Sequence, residues 1–424
     1  MTDTTYDKRE NYIDWITIFL LIGNSANPFF YRSVETITCS FIFLFVLSFF
    51  KKERQVRLNK YFYIYMGLLV TLQGVQAMES HLFPLKTFFG EYLRIGFAVL
   101  AITMLGQRFF EMFVRFVYVF AIISLCFYIP SLLIKGFAPF MIKNVASHTL
   151  APFVNNYEGL YVNRENIIIF NFGQIDLHRN SGFYWEPGTH GGFLLLAMFL
   201  NLFCRKEALG SRYNKIFLLT ILTTLSTTTY IAVFFVILVY LKEFFLRRPA
   251  LSIFILLALA ASSFLLYNNL EFLNKKINKQ IEYSNKGLPG ESRFNSLLVD
   301  IKSLSEHPLI GTGRNIEMKF GKNFYNVGAR EMHRNNGLGV LLSTYGVIFF
   351  CLWLVLLYKT FYIAVSDKVN ALMGVLLILI IGFSEDYFFK IFFIALVLYC
   401  GVTFVPVNVR KKSRKMQLGI GVSQ

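Results

Sequence analysis

The sequence predicts an all-α polytopic membrane protein with about twelve transmembrane helices in a single membrane domain, residues 1–424. Three observations predict it. Apolar runs near the length of a bilayer crossing recur along most of the chain. Only 16% of residues are charged and mean hydropathy is +0.52, whereas a soluble domain carries about 25% charged residues. Basic residues collect in alternate short connections, as the positive-inside rule requires.

The expected spans are 12–30, 34–50, 61–77, 87–105, 113–135, 189–204, 214–226, 229–245, 249–267, 337–359, 369–386 and 388–407. The first contains Asn24 and Pro28, and the run STTTY (226–230) divides the short pair 214–226 and 229–245. Four connections are basic: KKERQVRLNK (51–60), RKEALGSRYNK (205–215), KEFFLRR (242–248) and RKKSRK (410–415). An even number of spans puts all four on one side with both termini, and the charge rule makes that side the cytoplasm. Two long connections, 136–188 and 268–335, are then extracytoplasmic. Loops of that length carry function more often than short ones do.

In the second loop, ESRFNSLLVDIKSLSEHP predicts an amphipathic helix with Phe294, Leu297, Leu298, Ile301 and Leu304 on one face. Pro289 and Gly290 precede it and Pro308 follows. It is expected to pack on the membrane surface or on the first loop. Cys39, Cys126, Cys204, Cys351 and Cys400 fall in apolar runs without a CxxC pair and are expected to be small buried apolar residues. The start, TDTTYDKRE, lacks the pattern of a cleavable signal peptide. The net charge of +17 follows in large part from the basic connections, and no nucleic-acid-binding motif accompanies it.

Chemistry-bearing residues gather in the two long loops. Arg179 precedes SGFYWEPGTH (181–190). There Tyr184 and Trp185 suit an interfacial aromatic belt, and Pro187 suits the first helical turn. Glu186 gains from the following helix dipole, or accepts a proton from a sugar hydroxyl. The second loop is rich in Lys and Arg, which form either a solvated surface or a grip on phosphate oxygens. HPLIGTGR (307–314) reads as a tight turn through Gly311 and Gly313, ending at Arg314. REMHRNNGLGVLL (330–342) sets His333, Arg334, Asn335 and Asn336 at the entry of a span, as helix caps or as site residues. Glu385 and Asp386 are adjacent at a span end and are expected to point apart, and Glu91 and Arg94 are candidate intramembrane charges. No metal-ligand pattern, Walker A motif or GxSxG elbow occurs, so neither metal nor cofactor is expected.

The ordered set is more telling than any single motif. R-x-S-G-F-x-x-E-P-G (179–188) precedes a span, then come LSTTTYIA (225–232), Arg293, HPLIGTG, and His333 with Asn close behind. This arrangement resembles the superfamily of bacterial O-antigen polymerases and O-antigen ligases, over the whole chain in topology and over about 180–350 in motifs. The resemblance implies a metal-independent GT-C-like membrane glycosyltransferase of the bacterial inner membrane. It would transfer a growing glycan of O-antigen or capsule from undecaprenyl diphosphate to a lipid-linked repeat unit, at the extracytoplasmic face. A chain-length regulator is an implied protein partner, beside the lipid bilayer and the lipid-linked oligosaccharides. Arg179, Arg293 and Arg314 would bind the diphosphate, His333 or Glu186 would deprotonate the acceptor, and Asn335 and Asn336 would contact it. In this sequence Arg334 separates the histidine from the asparagines, which usually follow it directly. Two alternatives stay open: a ligase acting on lipid A-core, and a flippase or other transporter of lipid-linked oligosaccharides.

Overall fold

An apolar run has no side-chain donors to satisfy its backbone, and the helix satisfies every interior N–H and C=O locally. The computed structural model describes residues 8–30, 34–51, 56–146, 166–242, 282, 293–315, 317–318 and 336–404, and there the chain is mostly helical. Each predicted apolar segment among these residues contains a helix; segment 249–267 lies outside them. The helices are α1 (Lys8–Ala26), α2 (Val34–Ser48), α3 (Lys60–Ser80), α4 (Leu85–Leu105), α5 (Phe109–Leu133), α6 (Phe137–Met141), α7 (Pro187–Phe203), α8 (Arg212–Thr224), α9 (Thr227–Tyr240), α10 (Arg293–Glu306), α11 (Gly337–Val365), α12 (Lys368–Ser384) and α13 (Ile391–Leu398). Two helical stretches, Leu85–Leu133 (with a short 3-10 turn at Gly106–Arg108) and Gly337–Val365, are long and apolar enough to cross a membrane.

Local chemistry sets several boundaries. Asn59 caps α3 by accepting from Tyr61 N at 3.0 Å, and Asp367 caps α12 through Asn370 N at 2.7 Å. Leu225, at φ 47°, ends α8. The STTTY run is therefore only partly unwound, because Thr227 already begins α9. The last predicted segment, 388–407, is helical only to Gly401. Its end forms strand β2 (Val402–Phe404), which pairs antiparallel with β1 (Val56–Leu58).

Helix α7 is central. Residues Pro187 to Leu202 are buried all round apart from Gly188, as expected for a helix apolar on every face. It packs against α5, α8, α9 and α12. Glycines at its start admit close neighbours. A Cβ at Gly188 would lie 2.3 Å from Glu385 Oε1, at Gly191 2.1 Å from Thr229 Oγ1, and at Gly192 2.4 Å from Tyr387 Oη. An aromatic core continues below, with Phe113 stacked on Phe392 at 4.6 Å and Phe193 beside both. The outer faces are apolar as well: Phe49 is 73% exposed, Phe89 59% and Leu133 78%.

Helix α10 forms where the sequence predicted it, and two other expectations need correction. In α10, Ser296 and Asp300 are the buried side, packed on α11, while Leu298 and Ile301 face outward. Asp300 accepts from Ser343 Oγ at 3.2 Å, so hydrogen bonding turns the polar stripe inward. Cys39, Cys126 and Cys351 lie on the outer surface and only Cys400 is buried, since in this bundle apolar residues occupy both sides of most helices. Tyr184 is fully buried, stacked on His190 at 5.1 Å, and so is no belt residue.

Candidate functional site

The stretch before α7 is shaped by buried amides. Asn27 Nδ2 donates to Phe183 O and Ile168 O, both at 2.7 Å, and Asn171 Nδ2 donates to Tyr184 O and Trp185 O, both at 3.1 Å. Asn180 accepts from Gly182 N at 2.9 Å and donates to Thr223 Oγ1 at 2.9 Å. Gly182 has φ +54°, and any Cβ there would strike the His190 ring at 2.6 Å, so only glycine fits. The loop is thereby clamped to α1, α5 and α8, and it delivers two charged side chains to the head of α7. Arg179 Nε donates to Thr224 O at 3.3 Å, at the end of α8. Glu186 occupies the N-cap position with extended backbone, but its carboxylate caps no backbone N–H. It accepts instead from Trp185 Nε1 at 2.9 Å.

The partner of Glu186 is Glu385. Helix α12 ends at Ser384, two residues short of the predicted span, and Glu385 lies in the link to α13, 5% exposed. The two carboxyl groups share a hydrogen bond. Arg293, at the start of α10, donates to Ser384 O from Nε at 2.7 Å and to Glu385 Oε1 from Nη2 at 3.2 Å. Arg179 interacts electrostatically with Glu186, Glu385 and Arg293. Arg179, Glu186 and Arg293, drawn from connections more than a hundred residues apart, thus converge on one spot.

Electrostatics divides the two carboxyl groups. Burial, and then the neighbouring Glu186 charge, hold the Glu385 carboxyl well above its ordinary range. Burial also pushes Glu186 up, but hydrogen bonds from Glu385 and Trp185 and the charges of Arg293 and Arg179 outweigh it and hold Glu186 below its ordinary value. The pair therefore holds one proton, on Glu385, which donates to an ionised Glu186. Burial lowers Arg179 as well, yet a guanidinium stays charged at neutral pH. Two guanidiniums consequently face one negative charge, and Lys390, 5.2 Å over the Trp185 ring, and Asp386 offset each other in the same link. The excess is positive, at the head of a helix, which suits an anion rich in oxygen acceptors.

The other expected residues fall elsewhere. Asn336 is fully buried and caps α11: its Oδ1 accepts from Gly339 N at 3.0 Å and its Nδ2 lies 3.5 Å from Arg293 O. Both ends of its amide are engaged inside the protein, next to the site but not facing outward from it. Arg314 joins a second charged group around Glu91, 3.9 Å from Glu91 Oε1. His333 and Asn335 lie outside the described residues. Sequence reasoning missed Glu385. Its one visible signal was a carboxylate at the end of an apolar run, and adjacency to Asp386 concealed it. No protein-family model, curated protein or solved structure matches this chain.

Proposed function

We propose that this chain is an integral-membrane polysaccharide polymerase of GT-C-like, roughly twelve-span architecture, which transfers a growing glycan from undecaprenyl diphosphate to a lipid-linked repeat unit. The observation that carries this reading is the convergence of Arg179 and Arg293 on the Glu186–Glu385 pair at the head of α7. The apolar outer faces of α2 to α5 and the two membrane-length stretches support placement in a bilayer. Contacts at the two ends of the bundle support its orientation. Arg179, Glu186, Arg293 and Glu385 share one end, while the basic connections near Lys51, Arg205 and Lys242 belong to segments at the other. The site end is extracytoplasmic in this reading, both termini are cytoplasmic, and the membrane is the bacterial inner membrane.

In the transfer, an acceptor hydroxyl oxygen attacks the anomeric carbon of the donor sugar. The bond from that carbon to the diphosphate oxygen breaks, and the diphosphate leaves with the electron pair. Arg179 and Arg293 stabilise the charge gathering on it. The hydroxyl proton goes to a base. Glu186 is a poor one, because two donors and two guanidiniums already stabilise its ionised form. An imidazole is the side chain type best suited to take a proton near neutral pH, so this step is assigned to His333, and Glu186 orients the arginines.

Deletion of the gene in its own host, followed by complementation, tests this. A polymerase deletion leaves single repeat units on the lipid A-core, and Arg179→Ala or Arg293→Ala fails to restore the ladder. A bare core indicates the ligase instead. Normal ladders from the deletion remove both readings.

A further inference from the structure

A second group of charges stands apart from the first. It is held by an unusual joint. Helix α11 breaks at Gly346, whose φ is +73°. The HPLIGTG turn docks into the break: Thr312 N donates to Ser343 O at 2.8 Å, Gly313 N to Thr344 O at 3.0 Å, and Val347 N to Pro308 O at 3.0 Å. Gln76 Nε2 adds bonds to Ile310 O at 2.6 Å and Thr344 O at 2.8 Å. The turn projects Arg314 over the Phe389 ring, 4.5 Å from its centroid. Its Nη1 lies 3.9 Å from Glu91 Oε1, too far for a hydrogen bond, and is buried with no hydrogen-bond partner among the described residues.

Glu91 is already satisfied. The Tyr345 hydroxyl donates to Oε1, and Gln73 Nε2 donates to Oε2 at 2.8 Å. Arg94, one turn further along α4, is half-buried; its guanidinium donates to Gly90 O at 3.1 Å and interacts electrostatically with Arg314 and Glu91. Two guanidiniums therefore share one carboxylate whose oxygens neutral donors have taken. A buried guanidinium N–H left unpaired is costly, and the cost is relieved by an anion with several oxygen acceptors.

On the other side of Gln73 runs an apolar groove of about 310 Å³ between α3 and α4. Val70, Phe83, Leu85 and Phe89 line it, with Gln73 and Tyr92 as its polar wall. The Tyr92 hydroxyl donates to Gln73 Oε1, so the groove and the charged group meet across one hydrogen-bonded wall. A cationic group beside an apolar groove is complementary to an amphiphile with an anionic head and a hydrocarbon tail. We propose that Arg94 and Arg314 form a second diphosphate site, for a second isoprenoid-linked molecule whose tail lies along the α3–α4 groove. The inference rests on the transferase reading. A polymerase handles two lipid-linked diphosphates at once, and Arg179 with Arg293 would serve one while Arg94 with Arg314 serves the other.

The test is binding of farnesyl diphosphate and of inorganic diphosphate to the purified full chain in nanodiscs, by isothermal titration. The expected stoichiometry is two farnesyl diphosphates per chain. It falls to one in the Arg94→Gln/Arg314→Gln double variant and to one in the Arg179→Gln/Arg293→Gln variant. Each lost guanidinium contact weakens its site about tenfold or more. Gly74→Leu supplies a variant independent of the charges. Gly74 lines the groove, and a Cβ there meets nothing within 4 Å among the described residues, so a leucine projects into the groove. It should weaken farnesyl diphosphate at the second site and leave inorganic diphosphate unchanged. Equal weakening of both ligands, or none, overturns the groove assignment, with free diphosphate as the ligand if only the charges matter. A single site in the wild type, lost with Arg179 and Arg293, overturns the second site and leaves the transferase reading standing. No binding of either ligand overturns both.

Discussion

Replacing Glu385 probes the shared proton directly. Glutamine keeps the two contacts of a protonated carboxyl: its N–H can donate to Glu186 and its C=O can accept from Arg293 Nη2, which now bonds Glu385 Oε1 at 3.2 Å. It cannot ionise. Alanine removes both contacts and costs roughly 1.5–3 kcal/mol for the lost charged hydrogen bond, plus a cavity contribution. The pH dependence is sharper still. The folded-state value of Glu385 is raised, so on raising pH the unfolded chain loses this proton first. Stability then falls with pH, from the ordinary carboxylate value up to the folded one, by at most about 1.4 kcal/mol per unit. Between pH 5.5 and 7.5 that amounts to roughly 3 kcal/mol at most. Glu186 has the opposite sign: its folded value is lowered, so its stabilisation is present above the ordinary carboxylate value and is lost only as pH falls through the folded one. Its window lies below the range measured. Unfolding midpoints of the purified protein should therefore decline across this range for the wild type and decline less for Glu385→Gln, with polymer synthesis retained. Parallel declines in the two proteins would refute the protonated pair.

Other substitutions examine separate parts of the account. Arg179→Ala and Arg293→Ala should each lower polymer synthesis about tenfold to a hundredfold at unchanged protein level, and lysine should rescue poorly because a bidentate grip is lost. His333→Ala should cost about 10²–10⁴-fold in transfer, while Glu186→Gln is milder, and equal losses would return Glu186 to the role of base. Gly346→Ala forces a Cβ to within 2.3 Å of Leu309 O at φ +73°, and should destabilise by about 1–3 kcal/mol in a melting experiment and loosen Arg314. In intact cells an impermeant thiol reagent should label Asn278→Cys and spare Ser413→Cys; the reverse pattern inverts the proposed topology.

Composition, run length and connection charge were enough to foresee a helical chain, because backbone hydrogen bonding within an apolar run has a local solution. Pro187 at the first turn of α7 and a helix at 293–306 were legible for the same reason: they depend on neighbours within a few residues. The direction in which α10 faces was not. Its amphipathic period was visible, but not that Ser343 would hold Asp300 inward against α11. Pairings across long separations were equally hidden. Glu385 meets Glu186 and Arg293 only because α12 ends early and Gly188 leaves space for a carboxyl, and neither condition is written near Glu385. Arg179 and Arg293 carried their chemistry in their residue type, but not the fact that they share a site while Arg314 sits with Glu91. Residue type and local period follow from covalent structure. Which charges become neighbours depends on how helices pack, and the packing was decided by glycines, buried amides and a broken helix distributed over the whole chain.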